Sequence, residues 1–419
     1  MIRFASAANT TTKRSWRSYG STVTLAIFAL SAGIMLGRSE WLLPASWNEN
    51  GDEELVQSDV VVPPFSIEEL NRIEQQIVDE CNDFVANSEN YETTRQRLLK
   101  DIWRNSDPLP PELPSRLLED HPAPNWRVTA VENVSNVQYF DIDIGSGFRS
   151  IVRYLRPLRE STRLNRLMIV QQGHGGLGDN GTDTAVVRFL GSGCDVLYCG
   201  MPMSGENSWP PEIAVSGGCG HAGMAVLERD DFNPLELFFN HLPTGIKLAL
   251  ASNQGPFRDI SMCGISGGAW TTTVYAAIDP RIRFSFPVSG STPHQLRPDG
   301  GKREYEGNPE QSIYAIYAIC QVHLMSLLAI HPFERPVDQT TLPQRGQIQC
   351  YNAHDRVMPV LATEHHYPLK YTQGVYKAAE KAGGLFTWSV EPDQHQHRLS
   401  SFHIEKMLKA LTGADEDVF

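Results

Sequence analysis

Short apolar runs that end in glycine constrain this chain most. "RLMIVQQG" begins at Arg166, "GCDVLYCGM" at Gly193 and "DISMCGISGG" at Asp259. Runs of this length with no polar alternation mark strands buried on both faces. Helix-like segments lie between and after them: "TDTAVVRFLGS", "PLELFFNHLPTGIKLALAS" and "AWTTTVYAAI". Further on come "RFSFPVSG", "GQIQCYNAHD" and "LFTWSVEPD" as strands, "YPLKYTQGVYKAAEKAGG" as a helix, and "SSFHIEKMLKALTG" as the last helix. Strand and helix alternating in this way predict an α/β chain with a doubly wound, mostly parallel sheet. Two alternating stretches precede them, "VSNVQYFDIDIG" and "RSIVRYLRPL". They read as half-buried antiparallel strands at the start of the sheet.

The remainder divides by composition. "SIEELNRIEQQIVDECNDFVANSENYETTRQRLLKDIW" has helical spacing, with Ser66 and Glu69 in a capping-box pattern. The expected organisation is an uncharged N-terminal stretch within 1–37, a polar linker at 38–64, a helical segment at 65–125 and the α/β domain at 126–419. Residues 291–346 form a loop-and-helix insert, or cap, after the serine-bearing strand. Its segment "SIYAIYAICQVHLMSLLAI" is most simply a helical core or a cover over the site.

Residues 18–37 carry no charge and follow Lys13, Arg14 and Arg17. A basic head before about 20 uncharged residues predicts an export signal or an uncleaved membrane anchor. It places the remainder outside the cytoplasm. The net charge of −13 leaves no basic stripe to meet phosphates and argues against nucleic acid as a partner. The seven cysteines are scattered, with no C-x-x-C pair, and several sit in apolar runs. They read as small buried hydrophobes rather than as a zinc site or a disulfide framework.

"GISGG" at 264–268 fits G-x-S-x-G, a pattern that requires a strand before it and a helix after it. Both are predicted. The strand-to-helix bend would display Ser266 at a helix N-terminus, where free N–H groups favour a developing oxyanion. The Gly267 N–H is the first such donor. A serine hydroxyl needs a base, and the base needs an orienting group, here in the chain order serine, carboxylate, histidine. Asp355 stands just past "GQIQCYN", and His395 and His397 stand past the final strand.

With "GISGG", "NAHDRVMP" and "HRLS" together, the chain resembles the α/β-hydrolase superfamily, in its serine esterase and acyl-peptidase-like branches, over roughly residues 126–415. The resemblance implies Ser266 as nucleophile, His397 as base and Asp355 as its orienting carboxylate. "QQGHGG" at 171–176 resembles the loop that supplies a second oxyanion donor, from the backbone of the His174–Gly175 region. His397 is preferred because it adjoins the final helix, and His395 stays as the alternative base. No cofactor and no metal are implied.

Carboxylic ester hydrolysis is the first expectation, on a small-molecule or peptide acyl substrate. Peptide or amide hydrolysis by the same triad is the alternative, and a tethered, non-catalytic binding protein of the same fold is the second. His221 in "GGCGHAG" is read as a solvated loop residue, and His354 as a loop residue. His365–His366 is a poor chelate, because adjacent residues do not share a helix face. His395-x-His397 as a zinc chelate is a distant second mechanism.

Overall fold

The computed structural model describes residues 66–104, 113, 115–118, 134–158, 163–174, 180–211, 221–253, 255–296, 322–331, 344–355 and 370–413. The uncharged stretch 18–37, the linker 38–64 and the pair His365–His366 lie outside them. Among the described residues, no helix is long and apolar enough to cross a membrane.

Helix α1 (Ile67–Ala86) starts at the capping box: the Glu69 N–H donates to Ser66 Oγ at 3.2 Å, and the Ser66 N–H to Glu69 Oε2 at 3.0 Å. Such a cap contributes about 1 kcal/mol. Leu70, Ile73, Ile77, Cys81 and Phe84 form its buried stripe at steps of three and four residues. Helix α2 (Glu89–Ile102) follows, and Trp103 after it donates from Nε1 to Asn240 Oδ1 at 2.6 Å, buried. That bond fixes the helical segment to the α/β body.

The sheet has nine strands among the described residues. They are β1 (Ser115–Leu118), β2 (Val134–Gly145), β3 (Phe148–Pro157), β4 (Arg166–Gln171) and β5 (Asp195–Cys199), then β6 (Asp259–Ile265), β7 (Ile282–Val288), β8 (Gly346–Asn352) and β9 (Leu385–Glu391). Their order is β1-β2-β3-β5-β4-β6-β7-β8-β9. Pairing is antiparallel from β1 to β5 and parallel from β5 to β9. Strand β1 falls in the stretch expected to be helical. Three of its four residues are exposed, so it carries no hydrophobic alternation that would mark it as a strand.

Six parallel-paired strands need cover on both faces, and two apolar cores supply it. Along β4, Leu167 and Ile169 enter one core, and Met168 and Val170 the other. The second core is closed by α3 (Thr182–Gly191) and α8 (Ser401–Thr412). The first is closed by α1, α2, α4 (His241–Asn253), α5 (Gly267–Ile278), α6 (Val322–Ile330) and α7 (Lys370–Ala382). Asp195 can sit in a central strand because Arg163 Nε donates to its carboxylate at 2.7 Å and the Tyr154 hydroxyl donates as well.

One expectation changes in detail. "PLELFFNHLPTGIKLALAS" is a 3-10 turn, Pro234–Phe238, followed by α4 rather than one helix. Pro243 has no N–H to donate, so it has to lie in the first turn, which starts α4 at His241. The longest described stretch of the insert contains α6, every residue of which is buried. It packs on α5 and α7 and lies between β7 and β8 in sequence. A helix apolar on all sides is a buried helix, and α6 covers the sheet as a crossover helix does.

Candidate active site

The chain runs from β4 outward to β5, then returns to place β6 on the other side of β4. Such a reversal opens a crevice at the carboxyl ends of the two strands, where open α/β sheets bind ligands. Ser266 follows β6 directly, and Gly173 and His174 follow β4. The topology therefore selects this region without reference to any motif.

Ser266 has φ 57° and ψ −125°, a conformation that costs a non-glycine residue on the order of 1–3 kcal/mol. Its backbone is held on both sides. The Ser266 N–H donates to the Val288 carbonyl at 3.0 Å, and its carbonyl accepts from Ala269 N–H at 2.9 Å and Trp270 N–H at 3.2 Å. The bend also needs space around it. A Cβ on Gly264 would overlap the Gly268 carbonyl oxygen, and one on Gly173 would lie 2.6 Å from the Ile265 carbonyl oxygen. The half-buried Ser266 thus stands at the N-terminus of α5, whose first N–H groups have no intrahelical acceptor.

Asp355 follows β8 and His397 follows β9. The Asp355 side chain is 1% exposed, and its Oδ2 lies 2.8 Å from His397 Nδ1. A carboxylate oxygen accepts, so Nδ1 carries the proton and Nε2 presents its lone pair. That Nε2 is buried and has no hydrogen-bond partner among the described residues, so no Ser266–His397 bond is formed here. Backbone bonds lace the strand ends between them: Ser266 N–H to Val288, Ser289 N–H to Cys350, and Ala353 N–H to Glu391. His395 stacks on His354, with centroids 4.4 Å apart and planes 12° from parallel. The two histidines of His395-x-His397 therefore turn to different partners. Among the described residues, no three His, Cys, Asp or Glu side chains gather closely enough to hold a metal.

On the β4 side, the exposed His174 ring covers Gly267. A Cβ at Gly267 would meet His174 Cε1 at 2.6 Å and Met201 Sδ at 2.7 Å. The His174 ring also packs on His221, with centroids 4.9 Å apart. His221 corrects its expectation as a solvated residue: it is 7% exposed, donates from Nε2 to the Pro202 carbonyl at 2.9 Å, and meets Phe238 edge-on. Its glycine-rich surroundings suggest a loop, while the partners that bury it are remote in sequence. Met201 and Phe238 are likewise site neighbours that no sequence pattern marks. Gly175 lies outside the described residues.

The thiols among the described residues are poor nucleophiles. Cys263, three residues before Ser266, is fully buried with its thiol pushed far up by burial, and burial pushes Cys194 up to about 11. Cys81, Cys199 and Cys350 are buried free thiols too, whereas Cys219 and Cys320 lie outside the described residues.

No protein-family profile and no curated protein sequence matches the chain. Solved structures do resemble it. An acetyl xylan esterase from Paenibacillus sp. R4 superimposes over 80% of this chain and 98% of its own, at 13% identity and a TM-score of 0.50. A methylesterase superimposes over 83% of this chain and 70% of its own, at 14% identity and a TM-score of 0.50. At such identities the likeness is one of fold.

Proposed function

We propose that this chain, which has the α/β-hydrolase fold, is a serine hydrolase that cleaves carboxylic esters through an acyl-enzyme on Ser266. The observation that carries the reading is the Asp355–His397 hydrogen bond at the carboxyl ends of the strands that continue the sheet from the Ser266 elbow.

His397 Nε2 accepts the Ser266 hydroxyl proton as Oγ attacks the acyl carbonyl carbon. Catalytic hydrogen bonds of this kind are often long before substrate binds and tighten in the complex. Asp355 keeps Nδ1 protonated and stabilises the imidazolium. The Gly267 N–H and a backbone N–H of the His174–Gly175 region receive the oxyanion, and loss of one such donor raises the barrier by about 3 kcal/mol. As the intermediate collapses, the C–O bond to the leaving group breaks and His397 returns its proton to the departing alkoxide. Water then repeats the sequence on the acyl carbonyl, which frees the acid and restores Ser266.

An ester is favoured over an amide because its leaving group demands less of the general acid. The two solved neighbours, both esterases by name, agree with that choice. The N-terminal stretch 18–37 supports export of the catalytic domain, tethered or cleaved. A panel of p-nitrophenyl esters of graded chain length, run against aminoacyl-naphthylamides, tests the reading. Turnover of short-chain esters that disappears in Ser266→Ala supports it. Turnover of amides alone makes the chain a peptidase, and absence of turnover together with absence of fluorophosphonate labelling makes it a binding protein.

A further inference from the structure

Asn352 closes β8, three residues before Asp355, and is 1% exposed. Its side-chain amide makes contacts that lead to the loop bearing His397. Nδ2 lies 3.0 Å from the Gln396 carbonyl oxygen and 2.8 Å from the Arg398 carbonyl oxygen, on the two residues that flank His397. It also lies 2.9 Å from Ser289 Oγ, past the end of β7. Carbonyl oxygens only accept, so these partners fix which end of the amide is the NH2 group.

The other end is fixed as firmly. Asn352 Oδ1 accepts from His403 Nε2 at 3.1 Å. His403 is completely buried on α8, and burial lowers its ring to about 3, so the imidazole is neutral with its single proton on Nε2. The Ser400 hydroxyl caps α8 by accepting from the His403 N–H at 3.4 Å. The same loop is tied at two further points: the His354 N–H donates to Gln394 and the Leu399 N–H to Asn180, at 3.0 and 2.7 Å.

We infer that Asn352 is the positioning residue of the base: it clamps the carbonyls of Gln396 and Arg398, the residues on either side of His397, to the strand that leads to Asp355. Histidine and carboxylate then share one support, and their separation is set by β8 rather than by the loop. This inference rests on the proposed serine hydrolase mechanism. A displacement of about 1 Å at such a base costs up to about 100-fold in rate, and the clamp prevents that displacement.

The test uses the full chain with Asn352→Ala and Asn352→Asp, each alone and combined with Asp355→Asn. Asn352→Asp keeps the side-chain volume and the Oδ1 acceptor for His403 while replacing the NH2 group by an oxygen, and a thermal melt of each variant shows that the kinetics are read on folded protein. The readouts are kcat and KM on p-nitrophenyl acetate and the rate of fluorophosphonate labelling. Both single variants should lose about 10- to 100-fold in kcat and in labelling rate, with KM within about twofold. Combined with Asp355→Asn they should add little, because they act through the same histidine. A kcat within twofold of wild type in Asn352→Asp, or losses that multiply fully in the double variant, overturns the positioning role. Ser266→Ala run alongside separates the two failures: hydrolysis that persists in it overturns the mechanism, and hydrolysis lost in it with the Asn352 variants unimpaired overturns only the clamp.

Discussion

Asp355 and His397 stand 42 residues apart in sequence and meet through a 2.8 Å hydrogen bond, because β8 and β9 lie side by side and deliver them to one end of the sheet. The bond sets the tautomer of the histidine, and with it the face that can take a proton. Asp355→Asn keeps the shape and presents an amide to Nδ1. It should lower kcat on the best ester by about 10³- to 10⁴-fold, with a melting temperature near that of wild type. Steady-state kinetics beside a thermal melt check this, and a loss under tenfold would separate Asp355 from the relay.

Glycines around the serine should divide into two kinds. At Gly264 an added Cβ overlaps the Gly268 carbonyl oxygen, a backbone atom that cannot yield without unwinding the elbow. Gly264→Ala should destabilise the chain by about 4 kcal/mol or more, read from chemical denaturation or from loss of soluble protein. At Gly267 the Cβ meets the ends of two side chains, His174 and Met201. Gly267→Ala should therefore fold and lose activity, since the displaced His174 ring lies over the start of α5 beside Ser266. A stable, fully active Gly264→Ala would contradict the elbow geometry.

Stability should carry the mark of one half-buried carboxyl. Burial raises Glu236 from its ordinary value of 4.5 to about 7, against the opposing pull of the Asn240 amide at 3.3 Å and the Arg229 charge. Between those values the folded chain holds a proton that the unfolded chain has released, so the stabilisation from the neutral carboxyl is full below 4.5 and is lost as pH rises through about 7. Glu236→Gln stays neutral throughout. Its melting temperature relative to wild type should climb from pH 5 to pH 8 and then level off. A difference that stays flat over that interval would place Glu236 in a solvated setting.

Much of this arrangement is legible in the sequence. The alternation of buried strands and helices, the bend at Ser266 and the order serine, carboxylate, histidine all follow from local patterns, and those patterns persist because each element buries its own periodic face. What the local patterns miss depends on distant partners. Strand β1 carries no pattern because its side chains face solvent. His221 looks solvated until Phe238 and Pro202 close over it, and only nearness to the final helix tells His397 from His395 locally. The choice between them is made by packing, since His354 takes one ring and Asp355 the other. Asn352 opens "NAHDRVMP", yet nothing local gives its role, because its four polar partners lie at 289, 396, 398 and 403.

An activated nucleophile at Ser266 is tested most directly by intact-mass and peptide mapping of the full chain after reaction with a fluorophosphonate. One adduct per chain, located on the peptide bearing Ser266, slowed strongly in His397→Ala while His395→Ala reacts at close to the wild-type rate, is the predicted result. An adduct that survives Ser266→Ala, or a Ser266 that reacts no faster than free serine when His397 is intact, would contradict it.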